Sequence, residues 1–149
     1  MPKTKYNYKV LAELISDLTR KCNIKEEYFA ASFNLSPTEV RFLKLFAFAD
    51  SYSSKDLRVK LNLSPGRITH ILQSLEGKKL VARITSEKDK RNIIVKLLPK
   101  ATPLIQNLHN NYNKLHRNIL KNVKEDEAKH IYESLQTLLN VFDEWVDQM

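Results

Sequence analysis

Between Tyr52 and Leu98 the chain spells out four elements in an order that strongly limits its fold: a short helix, a tight turn, a second helix and a two-stranded hairpin. Ser53-Ser54 opens the first helix, with Leu57 and Leu61 one turn apart. Asn62-Leu63 makes the turn. Ser64-Pro65 starts the second helix: the serine caps free N–H groups, and proline needs none at the first position. Its apolar face is Ile68, Ile71, Leu72 and Leu75, and Gly77 is expected to end it. Two β-favouring runs follow, Leu80–Ile84 and Asn92–Leu97. The loop between them, Thr85–Arg91, is too long for a two-residue turn and should project as a charged tip.

Charge falls on the same stretch. From Asp50 to Lys100 there are 12 Lys/Arg against 5 Asp/Glu, a net of +7 out of the chain's +8. The residues before it carry +3 and those after it −2. Concentrated on one small lobe, that charge is the footprint of a surface that meets phosphate. With two glycines in 149 residues there is no Gly-rich phosphate loop, so neither GxGxxG nor a Walker sequence occurs. One cysteine excludes an internal disulfide and fits a reducing cytosol, and no run approaches 18 apolar residues. No secretion signal is read at the N-terminus. A cytoplasmic location and no membrane partner are expected.

The flanks read as helices. The first begins near Tyr6, carries the stripe Leu11, Leu14, Ile15, Leu18 and Cys22 with Val10 at its edge, and is open to continuation through Glu26 to Ala31. Ser36-Pro37-Thr38-Glu39 opens the next with a capping box, and Val40, Leu43, Phe46 and Ala47 supply its buried face with Phe42 nearby. After Pro99 and Pro103 comes a long helix bearing Leu104, Leu108, Tyr112, Leu115 and Ile119. The last helix opens on Glu125, Asp126 and Glu127, well placed against its dipole. Its stripe is Ala128, Ile131, Leu135, Leu138, Phe142 and Trp145.

Two short helices, a tight turn and a β-hairpin form the winged helix-turn-helix pattern, in which the second helix enters the major groove. The outward positions of the Ser64 helix are Gly66, Arg67, Thr69, His70 and Gln73, following Ser64 and Pro65. Gly66 lets the helix N-terminus approach a duplex closely. Arg67 and Gln73 have the forked donors and acceptors that base edges require, and Thr69 can reach a phosphate or a thymine methyl.

The wing carries a more specific signal. Leu80-Val81-x-Arg83, a charged tip, then Asp89-Lys90-Arg91-Asn92-Ile93-Ile94-Val95-Lys96-Leu97 resembles the D-x-R-x-x-x-V-x-L signature of the MarR family of bacterial transcriptional regulators. The resemblance extends along the chain, through Leu63-Ser64 and Ile68-Thr69 at the recognition helix and the two long helices after the lobe. It departs at two places. The family often has Gly directly before the first wing leucine, where this chain has Lys79; and a common Leu-Thr-x-x-Gly reads Leu97-Leu98-Pro99-Lys100-Ala101.

The resemblance implies a mostly α (α+β) fold made as one MarR-like domain over 1–149: a winged helix lobe at 36–98, with dimerisation helices at 1–35 and 99–149. It implies a homodimer on double-stranded DNA at a pseudo-palindromic operator, acting as a repressor, with a small-molecule effector of aromatic or anionic character. Arg91 would probe the minor groove, where a narrow groove strengthens negative potential, and Asp89 would orient it. Arg83, Lys88 and Lys90 complete the wing contacts, while Ser54, Lys55 and Arg58 meet the DNA backbone. The ligand-lining residues are not legible in the sequence.

Other readings remain open. A winged helix can serve protein or RNA contacts without an operator. Some members of the family use a first-helix cysteine as a redox sensor, and Arg20, Lys21 and Lys25 stand near Cys22; yet Cys22 also continues an apolar stripe. His109 and His116 lie two turns apart, too far to chelate one ion unaided, and His70 and His130 sit on other helices. With no Ser/His/Asp order, CxxC or acid pair, no enzyme, metal or cofactor is expected.

Overall fold

The computed structural model describes residues 5–85, 88 and 91–149. In chain order its elements are α1 Tyr8–Ala31, α2 Pro37–Leu45, β1 Ser51–Ser53, α3 Ser54–Leu61, α4 Pro65–Gly77, β2 Val81–Thr85, β3 Ile93–Leu97, α5 Ala101–Ile119 and α6 Glu125–Asp147. The chain is mainly helical with one antiparallel sheet of order β1-β3-β2. The expected hairpin is β2 and β3, paired from Val81 opposite Leu97 to Thr85 opposite Ile93. A third strand joins it that was not expected. Ser51, Tyr52 and Ser53 pair with Lys96, Val95 and Ile94, and the Tyr52 hydroxyl donates to the Leu45 carbonyl at 2.6 Å.

Helix starts follow the serines. Ser36, Ser53 and Ser64 each accept a backbone N–H three residues on, from Glu39, Asp56 and Arg67. At Ser36 the box is complete, because Glu39 Oε1 accepts the Ser36 N–H in return at 2.9 Å. Helix ends use left-handed residues other than glycine: Asn34, Asn62 and Lys79 have φ of 56°, 52° and 61°. Each is the turning residue of a Schellman motif. Leu35 N–H donates back to Ala30, Leu63 to Arg58 and Leu80 to Leu75, all at 3.0 Å. Gly77, expected to end α4, is its last helical residue and has no positive φ. The reversal falls two residues later, at Lys79, because only there does Leu80 turn inward to bury itself with Leu75. Lys79 therefore holds the left-handed geometry at the position where the family often places glycine.

The chain forms two compact units, one reaching Tyr112 and one of Asn113–Met149. In the first, Phe42, Leu43, Leu57, Leu75, Val95 and Leu108 are fully buried. The lobe's core thus reaches beyond 36–98, since Phe29 and Ala30 of α1 and Leu108 of α5 are buried in the same unit. Phe42 belongs to the core, whereas Ala47, expected on the buried face, is exposed because α2 has already ended at Leu45. A polar and aromatic knot ties α5 to α1 and α2. The Tyr112 hydroxyl donates to Glu26 at 2.7 Å, its ring meets Phe29 edge-on, and the Lys44 ammonium lies 3.3 Å from the ring centroid. Burial, then the Glu26 carboxylate, pushes the Tyr112 phenol above its ordinary pKa, and burial lowers that of Lys44.

The apolar stripes of α1 and α6 are largely exposed among the described residues. Leu11, Leu14 and Leu18 on α1 are exposed, while Ile15 and Cys22 are half-buried. In the second unit α6 has no buried residue, and Ile131, Leu135, Phe142 and Trp145 all stand open. No helix among the described residues is long and apolar enough to cross a membrane.

Candidate nucleic-acid interface

Helix α4 divides as its sequence predicts. Ile68, Ile71, Leu72 and Leu75 are buried, while Ser64, Pro65, Gly66, Arg67, Thr69, His70 and Gln73 are all exposed. A Cβ built on Gly66 would meet nothing within 4 Å, so the fold itself does not require glycine there. Thr69 donates its hydroxyl to the Pro65 carbonyl at 2.9 Å, which commits that proton to its own helix. Arg67 and His70 line a shallow cleft of about 360 Å³ with Ser36, the cap of α2, and Thr38 in its first turn.

A second cleft, of about 400 Å³, brings together residues from separate parts of the lobe. Ser54, Lys55 and Arg58 of α3 line it with Arg91 and Asn92, which lead into β3. The three residues expected at the DNA backbone and the wing arginine thus share one basic hollow. The Arg58 Nε is buried there with no hydrogen-bond partner among the described residues. A cationic donor set of this kind suits an oxygen anion such as a phosphate. Asn92 was missed in the sequence, since only its place beside Arg91 at the foot of the strand brings it into the cleft.

The remaining wing residues divide. Lys88 and Arg91 are exposed. Arg83 is ion-paired with Glu76 of α4, and each side chain is about one-third exposed. Asp89 and Lys90 lie outside the described residues.

On the inner side of α4, Glu39 is buried and receives hydrogen bonds from α2 and α4 together. Burial alone would raise its carboxyl pKa, but the Ser36 N–H, the Ser74 hydroxyl and the Lys78 ammonium outweigh it and hold the group below the ordinary carboxylate range. A capping box foretold the Ser36 bond. Nothing local foretold Ser74 or Lys78.

Comparison with known proteins agrees with this geometry. Residues 35–93 match the model of the MarR family. The chain is 26% identical over 129 residues to an uncharacterized HTH-type transcriptional regulator, YdgJ of Bacillus subtilis, covering 87% of this chain and 79% of that one. It is 24% identical over 130 residues to the multiple antibiotic resistance protein MarR of Salmonella typhimurium, covering 87% and 90%. Its fold resembles the crystal structure of a cysteine-to-serine mutant of MarR from E. coli complexed with operator DNA. There the TM-score is 0.71 at 23% identity, over 87% of this chain and 93% of that one. Residues 35–93 thus match the MarR family in sequence, and over most of the chain the fold is that of solved MarR structures.

Proposed function

We propose that this protein is a sequence-specific DNA-binding transcriptional regulator, a cytoplasmic repressor that acts as a homodimer on a pseudo-palindromic operator. One observation carries the reading: the polar face of α4 is wholly exposed, in the same unit that holds the basic cleft of Lys55, Arg58 and Arg91. In this reading Arg67 and Gln73 read bases, Thr69 offers its methyl to thymine, and the α3 residues grip the backbone. Arg91 enters the minor groove, with Asp89, Lys88 and Lys90 beside it in the wing. That the E. coli protein of similar fold was solved in complex with operator DNA supports a DNA-binding role. The uncovered stripes of α1 and α6 support dimerisation, because large exposed apolar faces mark association surfaces. The whole chain then acts as one domain, its lobe at 36–98 borne on dimerisation helices.

Selection of bound fragments from genomic DNA tests this. A palindromic motif is the expected result. Absence of any sequence preference would instead favour a winged helix used for protein or RNA contacts.

Ligand response is assigned to a cleft of about 600 Å³ in the first unit, between Phe46, Leu97 and Ile105, with Asp50, Gln106 and His109 at its polar side. No Lys or Arg lines it among the described residues, and Asp50 does. The cleft therefore suits neutral or cationic aromatic compounds better than the anions that the family resemblance implies. Titration of the protein–operator complex with both kinds of aromatic compound, and with Asp50→Asn, would check this. Release by anions alone would refute it.

A further inference from the structure

Glu39 does more than cap its own helix. Oε1 accepts the Ser36 N–H at 2.9 Å, and that bond completes the α2 cap. Oε2 accepts the Ser74 hydroxyl of α4 at 3.0 Å. The Lys78 ammonium, just past the end of α4, reaches Oε1 and Oε2 at 3.3 and 3.2 Å. It also donates to the Asn34 carbonyl at 3.0 Å, in the turn that joins α1 to α2. Two chain segments, the start of α2 and the end of α4, thus meet on one buried carboxylate, and Lys78 links it to the turn before α2.

A capping box requires one carboxylate oxygen. Burying the whole group is unfavourable unless its other bonds return something, and a neutral glutamine would have capped α2 without burying a charge. What the added bonds provide is direction. The apolar face of α4 is held by packing, which resists separation but distinguishes poorly between small rolls of the helix. Charge-assisted hydrogen bonds from Ser74 and Lys78 specify one roll. The outer face of that same helix carries Arg67, His70 and Gln73. Base-edge hydrogen bonds tolerate little misplacement.

We infer that Glu39 is a positioning residue for DNA recognition: without touching DNA, its carboxylate sets the roll of α4 through Ser74 and Lys78. The inference rests on α4 being the reading helix. It also assigns Lys78, a cation of the basic lobe, to an inward structural partner rather than to phosphate.

The test compares affinity for the selected operator with affinity for random duplex at one salt concentration, alongside thermal melting. Glu39→Gln should lower the operator-to-random preference about tenfold, the cost of one poorly formed base contact, without weakening binding to random DNA. Lys78→Met should do the same alone but add little in the Glu39→Gln background, since coupled residues are not additive. Ser74→Ala is the milder variant, and decides the matter if Glu39→Gln does not fold; it should lose a smaller part of the preference. Val40→Ala, a core change on the same helix, controls for stability and should keep the preference at a similar melting temperature.

Retained preference in Glu39→Gln, or in Ser74→Ala should the former be unfolded, overturns the positioning role. So does equal loss in Val40→Ala, or loss by Lys78→Met on both DNAs and in both backgrounds. Wild-type protein with no operator preference would overturn the regulator reading and this inference with it, a result distinct from the others.

Discussion

Arg83, on β2, is ion-paired with Glu76 in the last turn of α4. On its other side the same helix end is joined through Lys78 to Glu39. Helix α4 is therefore flanked by two charge pairs of opposite sense, one reaching the wing and one reaching α2.

That pairing makes a prediction about Arg83. As a tie between wing and helix, Arg83→Ala and Glu76→Gln should both weaken operator binding, by roughly two- to fivefold, since partly exposed pairs contribute about 1 kcal/mol or less. A phosphate-contacting Arg83 makes the reverse forecast for Glu76→Gln, because freeing the guanidinium and removing a negative charge would tighten binding. Equilibrium titration of the two variants on operator DNA distinguishes them.

Arg91→Ala should lose operator affinity at least tenfold and reduce the salt slope of binding by about one contact per protomer. Arg91 is exposed and lines the cleft with Lys55 and Arg58, so its loss should leave the core intact. Arg67→Ala and Gln73→Ala should relax base preference instead, each by about 1–3 kcal/mol. Titrations across several salt concentrations, on operator and random DNA, check both statements. Near wild-type binding by Arg91→Ala would remove the wing from the mechanism.

Lys79→Gly should stabilise the protein by about 1 kcal/mol. Lys79 holds φ at 61°, a conformation that costs a side-chain-bearing residue roughly 1–2 kcal/mol and costs glycine little, although the freer unfolded chain takes some of the gain back. Asn34→Gly and Asn62→Gly should gain less, because asparagine already tolerates the left-handed region. Denaturant melts of the three variants measure the order.

Glu39 also predicts an acid limb in stability. Its carboxyl pKa is lowered from the ordinary 4.5 in the folded protein, so the unfolded chain binds the proton more readily. The resulting stabilisation is fully present above about pH 4.5 and disappears as pH falls through the lower, folded value. Glu39→Gln should therefore be less stable than wild type at neutral pH, with the gap closing in acid. Parallel denaturation curves from pH 7 to 3 would reveal it; a constant gap would assign the loss to packing alone.

Leu135→Asp or Phe142→Asp should shift the protein from dimer to monomer. Both residues are exposed on α6 within one chain, so an acidic side chain there has no core of its own to disrupt. Sedimentation should report the lower mass with helicity largely kept, and operator affinity should fall towards that of a half-site. An unchanged mass would place the dimer contact elsewhere.

Much of this protein was local enough to be legible in its sequence. Serine caps and apolar spacing within one or two helical turns determine where α2, α3 and α4 begin and which face of α4 is outward, because both signals act between residues three or four apart. The hairpin was legible for a similar reason, as alternation lies within one short stretch. What tertiary structure decided involves partners that no local pattern names. Strand β1 consists of Ser51, Tyr52 and Ser53, too short and polar to declare itself, and exists because β3 offers it an edge. The left-handed turn fell on Lys79 rather than Gly77 because Leu80 had to reach the core beside Leu75. Glu39 looked like half of a capping box. Its second set of partners, Ser74 and Lys78, stand 35 and 39 residues away, and only packing of α2 against α4 brings them onto one carboxylate.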